Sequence, residues 1–230
     1  MNFQTFLYSA SYKKDYRWLV VPDAFFKEQV PVLNSFFEVF DKFKKSKLLN
    51  NSTTSPTFFL TYRNAAYLFE CTKTTHEDEY GRRIFALQGI CVKERELFEF
   101  RNELPFILYS SSAFLNVWAS FDVNEADKLS SSPSKIISYE KKLRWSDLAG
   151  IPEVEITPDA FSFRNLPIVL PFNDKGFMQL ISYISSPYIS LPSFAFGFTP
   201  EMANIYPRFK LISPIYSKEE EDNADYSLPF

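Results

Sequence analysis

Twenty-six phenylalanines and 13 tyrosines in a chain of 230 residues set the first constraint on what it can fold into. Each large ring carries apolar area that is costly to leave in water. The fold must therefore gather the rings in an aromatic-rich core, or a partner must cover part of them. A hydrophobic share of 46% beside 23% charged residues suits a soluble globule long enough to bury a real core. The same chain holds one histidine and two cysteines, so it is short of the side chains that run most enzyme chemistry.

The net charge of −3 supplies no global attraction to phosphate backbones, which nucleic-acid binders usually present as a basic face. The first residues lack the order of a secretory signal. No stretch approaches the roughly 18 apolar residues of a membrane span. A cytoplasmic protein is expected. Folding a hairpin about 77–81 would set Cys71 opposite a residue near Leu87 rather than Cys91, so both cysteines read as small buried hydrophobes without a disulfide.

Segments 3–8 and 16–21 are short and rich in aromatic and β-branched residues, and a polar turn at 11–15 separates them, which predicts a hairpin. Asp23 is a candidate helix N-cap. Phe26, Val30, Leu33, Phe37 and Phe40 then recur at helical spacing, with the regular helix starting near Pro31 and Lys42, Lys44, Lys45 and Lys47 crowding its end. Residues 50–56 read as a loop, and 57–63, 66–72 and 83–92 as a meander of antiparallel strands. In the middle strand Tyr67, Phe69 and Cys71 share one face and Leu68 and Glu70 the other. Segment 93–108 returns to helical spacing through Leu97, Phe100 and Leu104, and Pro105 is expected to end it. Segment 113–121 is ambiguous between strand and helix.

Residues 122–134 are polar, with a serine run and Pro133, which predicts a lobe boundary. Four regions follow: an α+β lobe over 1–121, a linker over 122–135, a proline-rich mixed lobe over 136–217 and an acidic flexible tail over 218–230. Ten of the 15 prolines lie from Pro152 onward, which favours short elements. Brief strands are expected at 168–172 and 194–198, the latter with a bulge at Gly197. A helix capped by Asp174 is expected through Phe177, Leu180, Ile181 and Ile184, and a short one at 201–206. The fold class is α+β, built on antiparallel strands with two principal helices in the first half.

His76 sits in His76-Glu77-Asp78-Glu79, which reads as an acidic hairpin turn rather than a metal or catalytic site, because it lacks the spaced acidic and glycine pattern of a calcium loop. The five glycines are isolated, so no phosphate-cradling loop occurs. Glu153, Glu155 and Asp159, and Asp122, Glu125 and Asp127, are close in sequence, but alternation on a half-buried strand accounts for Glu153 and Glu155. Lys13, Lys14, Arg17 and Trp18 interleave cations with a ring. That pattern can stack bases while binding phosphates, or bury the ring and solvate the charge.

The strand at 66–71, the turn Asp78-Glu79-Tyr80-Gly81-Arg82 and the strand at 84–90 resemble the strand, turn, strand unit of GTPase-associated accessory domains of bacterial conflict systems. Residues 191–197 are similar to a phenylalanine-glycine strand of that group. The resemblance implies a non-enzymatic component of a multi-protein defence system. The turn also explains itself: Gly81 supplies a positive φ at the bend, and Arg82 pairs with Asp78 across it.

The expected function is a non-catalytic adaptor or regulatory subunit without cofactor. It would bind another protein, such as a nucleoside-triphosphatase or nuclease effector, in a hetero-oligomer, through Asp78, Gly81 and Arg82 and through Tyr226, Leu228 and Phe230 in the tail. A second reading is a nucleic-acid-sensing subunit that uses Lys13, Lys14, Arg17 and Trp18 on single strands. A third is a metal-dependent carboxylate hydrolase.

Overall fold

A computed structural model describes residues 2–22, 30–51, 54–62, 65–109, 123–128, 132–133, 136–138, 167–186, 190–199 and 209–215. Strands β1 (Asn2–Ser9) and β2 (Arg17–Val21) make the expected antiparallel hairpin, with Tyr8 opposite Trp18. Helix α1 (Val30–Lys45) carries Pro31 in its first turn, where the missing N–H costs no helical bond. A short helix α2 (Lys47–Asn51) follows, so Asn50 and Asn51 belong to a helix rather than to the expected loop.

The meander is observed as β3 (Thr57–Tyr62), β4 (Ala65–Glu77) and β5 (Arg83–Lys93), all antiparallel neighbours. Cys71 faces Leu87 in register, and both cysteines are free and buried. Strand β4 runs further than its apolar pattern and takes His76 and Glu77 out of the turn and into the ladder, with Glu77 opposite Arg83.

Helix α3 (Leu97–Tyr109) begins after a 3₁₀ turn over Glu94–Glu96, and Pro105 sits inside it rather than ending it. Pro105, Phe106 and Ile107 are all buried, and burying them offsets the roughly 3 kcal/mol that an interior proline costs. Segment 122–135 contributes helix α4 (Val123–Lys128) and strand β6 (Ser132–Pro133). Beyond it come β7 (Ile136–Ser138), β8 (Ile168–Val169), α5 (Asp174–Ser185), β9 (Phe194–Phe198) and β10 (Leu211–Pro214). The N-cap of α5 is Asn173, not Asp174, and its side chain accepts the Gly176 N–H. Gly197 has φ +76°, and the ladder slips beside it between Ser213 and Pro214. The expected features at Asp23, 113–121 and 201–206, and the tail over 218–230, lie outside the described residues.

All ten strands among the described residues belong to one sheet, in the order β6-β2-β1-β5-β4-β3-β9-β10-β8, with β7 pairing the start of β1. The sheet therefore crosses the boundary expected at 122–135. The α+β class and the two principal helices of the first half are as expected. The sheet also has parallel pairs, β2 with β6 and β10 with both β9 and β8. No helix among the described residues is long and apolar enough to cross a membrane.

Both faces of the sheet centre are covered. On one, Phe36, Val39, Phe40 and Phe43 of α1 pack on Phe6, Tyr67, Phe69 and Leu87. On the other, Phe100 and Leu104 of α3 and Leu180 and Ile184 of α5 pack on Phe3, Phe59, Leu68 and Ile90. Arg101 ties the two helices of that layer together by donating to the carbonyls of Ile184 and Ser186.

Gly89 lies between Phe69 and Phe6 in the ladder, and a Cβ there would fall 2.3 Å from the Leu68 carbonyl oxygen and 2.6 Å from the Phe6 ring. The vacancy lets the Phe6 ring lie over β5 and stack on Phe36 of α1 at 5.7 Å. Gly89→Ala is expected to destabilise the fold by about 3 kcal/mol, the upper end for overpacking, as read by urea unfolding.

On the opposite face Glu70 and Gln88, each 2% exposed, meet across the ladder, with Gln88 Nε2 donating to Glu70 Oε1 at 2.7 Å. Burial pushes the Glu70 carboxyl up to about 7, and the Gln88 bond only partly opposes it. The folded protein thus holds a proton that the unfolded chain has lost, so the contribution of Glu70 to stability is greatest below about pH 4.5 and falls as the pH rises toward 7. Above that range the ionised carboxylate carries a penalty of up to about 3 kcal/mol. Glu70→Gln keeps the acceptor for Gln88 and removes the titration. Its melting temperature relative to wild type should climb steadily between pH 5 and pH 8, and a constant difference would show that Glu70 is not protonated in the fold.

Candidate functional site

Asp78, Gly81 and Arg82 close the β4–β5 hairpin. Asp78 N–H donates to the Arg82 carbonyl at 2.9 Å, and Gly81 N–H donates to the Asp78 carbonyl at 3.0 Å. Three residues thus stand between the last paired ones, with Gly81 at φ +74°, the left-handed position that a three-residue hairpin loop requires. The Asp78 side chain completes the turn: Oδ1 accepts the N–H groups of Tyr80 and Arg82, both at 2.9 Å, and Oδ2 accepts Arg82 Nε at 2.7 Å. Desolvation works to raise the Asp78 carboxyl, but the Arg82 N–H and guanidinium and the Tyr80 N–H outweigh it and hold it below the usual carboxylate range. Tyr80 stands at the tip 75% exposed, with the Arg82 guanidinium 5.1 Å from its ring.

Beside this hairpin lies the loop that joins β1 to β2. Glu79 N–H donates to the Tyr12 carbonyl at 2.9 Å, Phe85 N–H donates to the Tyr16 hydroxyl at 3.3 Å, and Ser9 Oγ donates to the Phe85 carbonyl at 2.6 Å. Three bonds between segments far apart in sequence hold the two loops together. From behind, Asp127 of α4 accepts the Ser11 hydroxyl at 2.5 Å and the Lys13 N–H at 3.1 Å. Desolvation raises the Asp127 carboxyl, yet those two bonds and the charge of Arg17 bring it below its ordinary range.

Between the loops is a cleft of about 480 Å³. Lys13, Lys14, Lys44, Arg82 and Arg83 line it, against the carboxylates of Asp15, Asp78 and Glu79. Tyr16 and Phe85 form part of its lining, and Lys44 Nζ lies 4.3 Å from the Tyr16 ring centroid. Burial raises the Tyr16 hydroxyl, so it stays a neutral phenol at neutral pH. The cleft has an excess of cations although the whole chain is acidic.

The structure thus brings Asp78 and Arg82 to the same cleft as Lys13 and Lys14, with Gly81 in the adjoining turn. Arg17 and Trp18 do not join them. The Arg17 guanidinium donates to Ser11 Oγ and to the carbonyls of Asp15 and Ala126, bracing the loop from within. Trp18 packs on Phe6, Tyr8 and Phe37. Tyr226, Leu228 and Phe230, and likewise Glu153, Glu155, Asp159 and Asp122, lie outside the described residues. Among the described residues no group of three His, Cys, Asp or Glu side chains is placed to hold a metal ion. Reading the sequence did not assign Lys44 or Arg83 to a site with Lys13. What brings Arg83 near Lys13 is the antiparallel alignment of β1 with β5, which sets the end of β1 beside the β4–β5 tip and has no signal in the sequence alone.

Compared with models of known protein families and with curated proteins, the chain matches none.

Asp78→Ala removes the acceptor of the Tyr80 and Arg82 N–H groups at the tip of a sheet that is anchored elsewhere. Hydrogen exchange at those two amides should quicken about ten-fold or more, while the melting temperature stays within about 2 °C of wild type.

Proposed function

We propose that this protein is a non-catalytic adaptor or regulatory subunit that engages another protein through the β4–β5 hairpin tip, as part of a cytoplasmic hetero-oligomer. The observation that carries the reading is Tyr80, a large ring held out in solvent on a turn whose backbone is fixed by Asp78. Tyrosine and arginine are the side chains that most often anchor protein interfaces. A tip already ordered before binding loses little entropy when it docks. The resemblance of the turn unit to accessory domains of bacterial conflict systems supports a nucleoside-triphosphatase or nuclease effector as the partner, and antiviral defence as the setting.

The test is affinity purification of the tagged full chain from its source cells, in wild type and in Tyr80→Ala with Arg82→Ala. A protein that copurifies in fixed ratio with wild type should fall at least about ten-fold with the double variant. Lys45→Ala, on the exposed end of α1, should leave it unchanged. Equal recovery with wild type and the double variant would remove the tip from the interface.

A further inference from the structure

We infer that the cleft between the β1–β2 loop and the β4–β5 hairpin binds a nucleoside phosphate, with cations from both walls on the phosphate and an exposed tyrosine against the base. The proposal goes beyond the protein contact at the tip, and its test rests on residues outside that contact.

Each wall supplies a cation that forms no ion pair among the described residues. Among the described residues, the side chains of Lys13 and Arg83 form no ion pair, although each lies on a lining that also holds acids. Lys14 lies in the field of Asp127, Lys44 is within 4.0 Å of Asp41, and Arg82 is held by Asp78. These three reinforce the potential, while Lys13 and Arg83 are the ones left to contact an anion directly. Positive groups converging on a concave surface focus the field there even on a chain of net charge −3.

The carboxylates do not cancel this arrangement. Asp78 is occupied by its own turn, and Asp15 accepts the Tyr16 N–H at 2.7 Å. Asp15 and Glu79 form no ion pair among the described residues and are the acids an incoming anion would meet, set against five cations on the same lining.

The rings decide which anion. Tyr12 is 42% exposed and Tyr80 75%, one on each loop, and both line the cleft. A sulfate-like group or a peptide of acidic residues has no aromatic face to place on them, whereas a base stacks on an aromatic ring regardless of its sequence. A volume of about 480 Å³ lies within the range of small-ligand clefts and admits a nucleotide. The same chemistry is presented by a free nucleotide and by a residue of a single strand, and the test separates them.

Fluorescence polarisation with the full chain and a labelled oligothymidylate of about 12 residues is the first measurement. Wild type should bind, with log K falling against log salt at a slope of about −1.4 for two phosphates neutralised. Lys13→Glu with Arg83→Glu should weaken binding at least about ten-fold and flatten that slope. Tyr12→Ala should weaken it about ten-fold with the slope unchanged, because stacking releases no counterions. Glu79→Gln should tighten it.

Competition by ATP at similar concentration identifies a free nucleotide as the ligand, and failure of ATP to compete identifies a strand. Equal competition by oligoglutamate would overturn the proposal, as would no binding by wild type at about 50 mM salt. If the doubly reversed variant fails to fold by circular dichroism, Tyr12→Ala and Glu79→Gln carry the test, and an unchanged affinity in both would overturn it. Tyr80 is left out because it also serves the proposed protein contact. Capture of a partner protein should survive Lys13→Glu with Arg83→Glu.

Discussion

From Ala65 to Cys71 every side chain of β4 is buried, so the strand at the centre of the sheet offers neither face to water and the rest of the described chain is arranged to cover both. Strands buried on two sides read as continuous apolar runs rather than clean alternation. That demand is where the phenylalanines go. Phe36, Phe40 and Phe43 cover one face from a single helix, while two helices, α3 and α5, are needed to cover the other. The close approach at Gly89 is part of the same economy of space, since Phe6 and Phe36 could not stack over β5 if that position carried a side chain. Glu70 is the exception that such a strand creates: a buried ionisable group, met by Gln88 on the neighbouring strand.

Local chemistry was legible in the sequence, and long-range pairing was not. The Asp78–Arg82 turn with Gly81 at positive φ, the Cys71–Leu87 register and the start of α1 near Pro31 all follow from interactions within a few residues or one hairpin. Strand β6, two residues long, has no periodicity to read, and although a brief strand was expected where β8 lies, the parallel partners of both lie far away in the chain. Polar residues from Lys73 to Glu77 hid the last residues of β4, because that stretch pairs through its backbone while its side chains look like a loop. Pro105 misled for a related reason. Its local effect on helix propensity is outweighed by burial that only the tertiary structure supplies.

The site was legible in pieces. Lys13 and Lys14 stood out as a basic pair, and Asp78, Gly81 and Arg82 as a turn, but their meeting depends on Ser9 pairing with Ala86 across β1 and β5. Nor could the formal charge of the chain reveal a local excess, since the cations that gather at the cleft come from three separate segments. The same arrangement explains why Arg17 and Trp18 part from their neighbours. The residues of the loop face the cleft, whereas the strand that follows sends its side chains into the protein.

Arg82 borders both proposed surfaces, which raises the question of whether one ligand would disable the other. Its ion pair with Asp78 is exposed, and exposed pairs hold little of a turn's stability. The turn rests on its backbone: Asp78 N–H to the Arg82 carbonyl, Gly81 N–H to the Asp78 carbonyl, and the N–H groups of Tyr80 and Arg82 on Asp78 Oδ1. None of these bonds uses the guanidinium. An anion in the cleft could therefore draw Arg82 away from Oδ2 and leave the tip in the same shape, with Tyr80 still presented. Two surfaces joined by such a turn can be occupied together when the base stacks on Tyr12, and the coupling between them then runs through the direction in which one arginine points.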